Sequence, residues 1–318
     1  MARIRAVGIA ALLLSGAATA AMAQTPLESI TVTATRPHRD AINDFLFSHA
    51  TPTRLTDKVA RWTVPICPQT YGLGSKYAKY VTDRIRGIAA NVGAPVSGDA
   101  ACRPNIQIVF TTTPQLLLDN IRQNQPTYLG YYDNSRQADK LATFSRPIQS
   151  WYTTATGDLT GPPQVDSAHS GGISVTLPSP PPTGPGGMEG FSQGTYTLNL
   201  PSASARTTTG SRLGDGMTSG FYNVLIIAEP GKLLDAEIGT LADYIVMLAL
   251  SQPGPLDQCE ALPSITNLLV ENCSNQVATI TDGDVAYLRG LYKMSLAGTL
   301  QMQRSQILYQ MKDVLKPD

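Results

Sequence analysis

Histidine is nearly absent: 318 residues contain three, His38, His49 and His169, and none stands at ligand spacing from another. This argues against zinc sites of the H-E-x-x-H kind, in which two imidazoles one helical turn apart hold the metal. The four cysteines include no C-x2-C pair, which argues against an all-cysteine zinc site as well. Charge of one sign is also missing, with 24 Lys+Arg against 24 Asp+Glu and no basic cluster. Nucleic acid and anionic lipid therefore find no electrostatic footprint. No apolar run approaches the ~20 residues of a membrane span. Gly72-Leu73-Gly74 has no third glycine and no phosphate-binding context. Neither a resident metal nor a cofactor is expected.

Residues 1–23 read as a secretory leader. Arg3 and Arg5 precede an apolar run over 7–14, and Ala21-Met22-Ala23 forms a small-residue site that predicts cleavage after Ala23. The expected location is periplasmic or secreted. Taking Arg3 and Arg5 from the 24 basic residues leaves 22 against 24 acidic ones, so the mature chain stays near neutral. An even cysteine count in an exported chain favours disulfides. Three pairings are open, of which Cys67–Cys102 and Cys259–Cys273 are the most local.

Residues 24–54 read as a polar, flexible N-terminal arm, with His49 in solvent. An α+β domain is expected over 55–296. Within it, helical periods are predicted over 76–91, 114–123 and 234–250, and strands over 105–110, 148–152, 195–200 and 221–228. The strand over 221–228 is expected at a sheet edge. Thr281 is a credible N-cap for a further helix. Residues 297–318 read as a C-terminal amphipathic helix. Residues 159–194 are rich in Pro and Gly and read as a long loop insertion that cannot hold a helix or a central strand. Gly190-Phe191-Ser192-Gln193-Gly194 matches G-x-S-x-G, but no strand precedes it and no histidine follows His169, so a serine-hydrolase role for Ser192 is set aside.

Ala236-Glu237-Ile238-Gly239-Thr240 has the outline of H-E-x-x-H without the ligands. Pro263-Ser264-Ile265-Thr266-Asn267 follows, then Ile280-Thr281-Asp282-Gly283-Asp284 opening a helix through Leu291-Tyr292. This order resembles the catalytic half of a zincin metallopeptidase of the matrixin type. The resemblance implies a single zincin-like domain with a mixed sheet, flanking helices and the long loop inserted. It places Ala236, Thr240 and Val246 at the three zinc-ligand positions, Asp243 at a glycine position and Thr266 at the turn methionine. The whole mature chain also resembles a family of secreted proteobacterial proteins, on Ile66-Cys67-Pro68, Val109-Phe110-Thr111-Thr112-Thr113-Pro114 and the 210–216 segment; that family brings no activity with it.

The sequence therefore reads as a non-catalytic, pseudoenzyme-like protein that binds a peptide or protein partner, with no nucleic acid partner and no membrane span after leader removal. Two alternatives stand beside it. One is a hydrolase using Glu237 and Asp243 or an atypical metal site; the other is a structural or envelope-assembly component. Arg212 and Asp215, in a Gly-flanked turn, and Thr240 are candidate ligand-binding residues. Tyr128, Tyr131 and Tyr132 around Gly130, with Trp151-Tyr152, either line a carbohydrate or peptide groove or pack as core and edge.

Overall fold

Two apolar runs buried on both faces and a short, more polar strand beside them form the centre of the fold. In the computed structural model they are β1 (Pro68–Tyr71), β2 (Ile106–Phe110) and β7 (Thr218–Ala228), which lie parallel in that order. β2 has no exposed residue, as expected for a strand covered on both sides. β3 (Ile148–Gly157) runs antiparallel to β7, from Ile148 opposite Ala228 to Gly157 opposite Thr218. β4 (Gln164–Val165) adds a short pairing at Ala155 and Thr156 only. The sheet is therefore mixed and five-stranded, in the order β1-β2-β7-β3-β4. A separate hairpin joins β5 (Ile173–Pro178) to β6 (Thr195–Leu200). The structure describes residues 39–99, 101–157, 163–166, 173–178, 195–200, 216–233 and 236–316, all within the compact unit Arg36–Asp318.

Alternate residues of each central strand serve two cores. Ile106, Ile108, Val224 and Ile226 face α1 (Arg39–His49), α2 (Ser75–Val92), α5 (Ile238–Leu250), α6 (Asp282–Lys293) and α7 (Leu300–Leu315). Val109, Leu225 and Ile227 face the other way, toward α3 (Pro114–Asn124), α4 (Ser135–Leu141) and the β5–β6 hairpin through Leu177 and Leu198. α2 buries Val81, Ile85, Ala89 and Val92 along one stripe and stops at Gly93, whose left-handed backbone returns its N–H to Ala89 and Ala90. α6 begins with the capping box Thr281–Asp284.

The structure corrects four sequence expectations. Residues 39–49 are not part of an arm: Ile42, Phe45, Leu46 and His49 share one buried helical face. His49 is accordingly buried, not solvated. The Pro/Gly-rich insertion contains β4 and β5, although both lie outside the parallel core of the sheet. β7, expected at an edge, is the central strand, because it is apolar on both faces. The leader, the arm before residue 39, His38, His169, Ser192, Arg212 and Asp215 lie outside the described residues. The two local disulfides, Cys67–Cys102 and Cys259–Cys273, are formed. Among the described residues no helix is long and apolar enough to cross a membrane.

Candidate functional site

Among the described residues the outer edge of β3 is open where β4 does not cover it. Glu229 donates its N–H to the Pro147 carbonyl, one step beyond the Ile148–Ala228 pair. Hydrogen-bonded pairs alternate in an antiparallel ladder, so Gln149 and Trp151 bond to β7 while Ile148, Ser150 and Tyr152 turn their N–H and C=O outward. The Tyr152 carbonyl meets Gly130, where a Cβ would lie 2.6 Å from its oxygen; with φ of 84° there, glycine is required twice over. The main-chain groups of Ile148 and Ser150 take no partner from any other described element.

This edge forms the floor of a groove of about 880 Å³. One wall comes from the segment after α1 (Pro52 to Arg54) and the segment after α5 (Gln252 to Leu256). Gly254 ties these together, because its N–H donates to the Ser48 carbonyl and any Cβ there would collide with that oxygen. The other wall comes from residues 129–146, fixed by the Trp151 indole N–H donating to the Leu141 carbonyl at 2.7 Å. Tyr152 fastens β3 to the end of α5, donating its hydroxyl to the Leu248 carbonyl at 2.9 Å while accepting from Ser150 Oγ. Arg54 reaches from the first wall to Asp133 at 2.7 Å and to Gln137 at 3.2 Å on the second.

The groove carries Arg54, Lys140 and Arg146 and no His, Cys, Asp or Glu among its described lining residues. Burial pushes the phenols of Tyr152 and Tyr244 upward, and for Tyr244 the Arg146 charge opposes the shift. These tyrosines are therefore neutral hydrogen-bonding groups at physiological pH. Gln252 presents a buried side-chain oxygen with no hydrogen-bond partner among the described residues. Free main-chain groups, aromatic surface and a spare acceptor suit recognition of an extended chain better than bond breaking.

The residues singled out from the motif do not meet here. Ala236 lies outside α5, Glu237 is its exposed N-cap with no side-chain capping bond, and Thr240 is in the first turn. Val246 is fully buried in the core nearly two turns further on. The three ligand-like positions therefore do not converge on a cleft; the 236–240 segment sits at one end of α5 and the groove lies beyond the other. Asp243 is 2 % exposed. Its two oxygens accept from Arg84 at 2.6 and 3.0 Å, and one also takes the Ile280 N–H at 2.9 Å. That carboxylate clamps α2 and the start of α6 to α5, and the pairing raises the Arg84 pKa. Among the described residues no three His, Cys, Asp or Glu side chains gather as a metal site requires.

Behind the groove wall a buried polar chain runs from α1 to α6. His49 places Nδ1 3.0 Å from the Phe45 carbonyl and Nε2 3.1 Å from Thr266 Oγ1. Thr266 contacts Ser264 at 2.7 Å, and Ser264 bonds to Asp284. Burial lowers the His49 pKa to about 4 and raises that of Asp284. Of the aromatic concentration in the sequence, Tyr131, Trp151 and Tyr152 line the groove, while Tyr128 belongs to the second core. Sequence reasoning misses the open edge itself, because it depends on which strands pair. No family model, curated protein or solved structure matches this chain.

Proposed function

We propose that this is an exported, non-catalytic binding protein with a zincin-like domain, which takes an extended segment of a peptide or protein along the outer edge of β3. The observation that carries the reading is the outward main chain of Ile148 and Ser150, unpartnered among the described residues, on the floor of a groove large enough for a short peptide. A strand added there gains main-chain hydrogen bonds from the edge and side-chain contacts from the two walls. Two disulfides fit an oxidising compartment. The zincin-like reading draws support from the order β7, α5, the 264–267 turn and α6, and from the mixed sheet. It receives none from residues 236–240, which stand away from the groove.

The hydrolase alternative has less to recommend it. Asp243 is committed to Arg84 and Ile280, and Glu237 belongs to no group of three His, Cys, Asp or Glu side chains among the described residues. The deciding experiment is Ser150→Pro. The Ser150 N–H lies outside the β7 ladder, and proline is tolerated on such an edge. The variant should keep its thermal transition and lose binding of capped β-prone hexapeptides measured by fluorescence anisotropy. Unchanged binding in a folded Ser150→Pro would sink the proposal. Chelator-sensitive peptidase activity with stoichiometric zinc in the purified protein would replace it with the catalytic reading.

A further inference from the structure

We infer that the segment received by this groove is acidic; the inference rests on the β3-edge reading above. Among its described residues the groove lining includes three cationic side chains and no anionic one, although the whole chain carries 24 of each sign. The excess is therefore local. The three cations are also unequally satisfied. Arg54 is held by Asp133 at 2.7 Å, whereas Arg146 has only a loose contact with Asp257 at 3.7 Å. Lys140 is exposed and forms no ion pair among the described residues. Lys140 directly precedes Leu141, whose carbonyl anchors Trp151, and Arg146 stands two residues before Ile148. The free charges thus flank the stretch of β3 whose main chain is open.

A strand bound to that edge would send successive side chains to opposite walls. Lys140 belongs to the wall beside α4, while Arg146, at the end of that wall nearest β3, leans across toward Asp257, which lies just beyond the 252–256 segment. Two neighbouring carboxylates in the bound segment would therefore each meet a cation. The apolar, low-dielectric surface of Trp151, Leu129 and Leu256 beside them strengthens the attraction over that in open water. A basic segment would instead bring like charges together on both walls, which is the repulsive half of the selectivity.

The test uses the full chain and three capped hexapeptides that differ only in a central Glu-Glu, Gln-Gln or Lys-Lys pair flanked by Thr and Val. Anisotropy titrations should rank them Glu-Glu, then Gln-Gln, then Lys-Lys, with about a tenfold step between the first two that shrinks as salt is raised. The double variant Lys140→Glu, Arg146→Glu should reverse that order with an unchanged thermal transition. Equal affinity for the three peptides, together with loss of all binding in Ser150→Pro, would leave the edge reading standing and overturn the acidic preference. A Glu-Glu preference that survives Ser150→Pro would place the carboxylates at another surface and overturn the inference as well. Binding of none of the three overturns both.

Discussion

The two ends of α5 resemble opposite kinds of site. Its N-terminal end carries the residues that look chemical in sequence, Glu237 and Thr240, yet neither lines the groove and, among the described residues, no three His, Cys, Asp or Glu side chains gather there. Its last turn is wholly apolar, Met247 to Leu250, and yet it opens onto the groove through Gln252 to Leu256 and holds β3 through Tyr152. Thirteen residues separate the ends, roughly 20 Å at 1.5 Å per residue. A short pattern thus marks a helix, whereas a site is made by what the helix is packed against. The middle of α5 supplies rigidity for both ends, through Asp243.

That middle is the place to break the comparison most severely. Asp243→Ala should destabilise the fold by about 3 kcal/mol, the low end of the range for removing one partner of a buried pair, because Arg84 retains a route to water. The Ile280 N–H loses its acceptor at the same time. Urea unfolding measures the effect, and a loss under about 1 kcal/mol would contradict the clamp. Tyr152 and the groove should loosen with α5, so peptide affinity should fall in parallel.

The polar chain behind the groove gives the second effect. His49 is neutral when folded, since burial holds its pKa near 4, while in the unfolded chain it takes a proton near 6.5. The unfolded state binds more protons between those values, so stability falls as pH drops from about 6.5 to about 4. The full effect is about 3 kcal/mol. Asp284, whose pKa is raised, works in the opposite direction as pH falls through its folded pKa, because the folded state takes its proton first. His49→Phe keeps the stack on Phe45 and removes the imidazole, so the pH slope above 4 should flatten even though the Thr266 contact is lost. An unchanged slope would show that His49 does not control acid sensitivity.

Much of the frame is legible in the sequence because it depends on local pattern. The stripe Val81, Ile85, Ala89, Val92 predicts α2, and Thr281 with Asp284 predicts the start of α6. β7 reads as a strand but not as a central one, although a run apolar on both faces belongs in the middle of a sheet. α1 escapes notice because its buried stripe, Ile42, Phe45, Leu46 and His49, is short and closes on a polar residue, so Phe45 and Leu46 read as a short patch. The open edge of β3 is not legible at all. It exists because β7 pairs with one side along the whole strand, whereas β4 reaches only Ala155 and Thr156 on the other. Such pairing joins segments far apart in the chain, and no local signal reports it.

The smallest expected effect is the most discriminating between the two ends. Glu237→Gln removes the residue that stands where a metallopeptidase keeps its general base. Glu237 is exposed, caps no N–H of α5 with its side chain and appears in no ion pair among the described residues. As a carboxylate near a helix N-terminus it contributes only what the helix dipole offers an exposed charge, about 0.3–1 kcal/mol and less in salt. Stability should therefore shift by no more than that, and affinity for the hexapeptides should stay the same, since the groove lies at the far end of the helix. Ser150→Pro should show the converse, intact stability and lost binding. Should Glu237→Gln abolish a measurable hydrolysis of the same peptides, the chemistry would belong to the first turn of α5 after all, and the groove at its last turn would be a feature of packing alone.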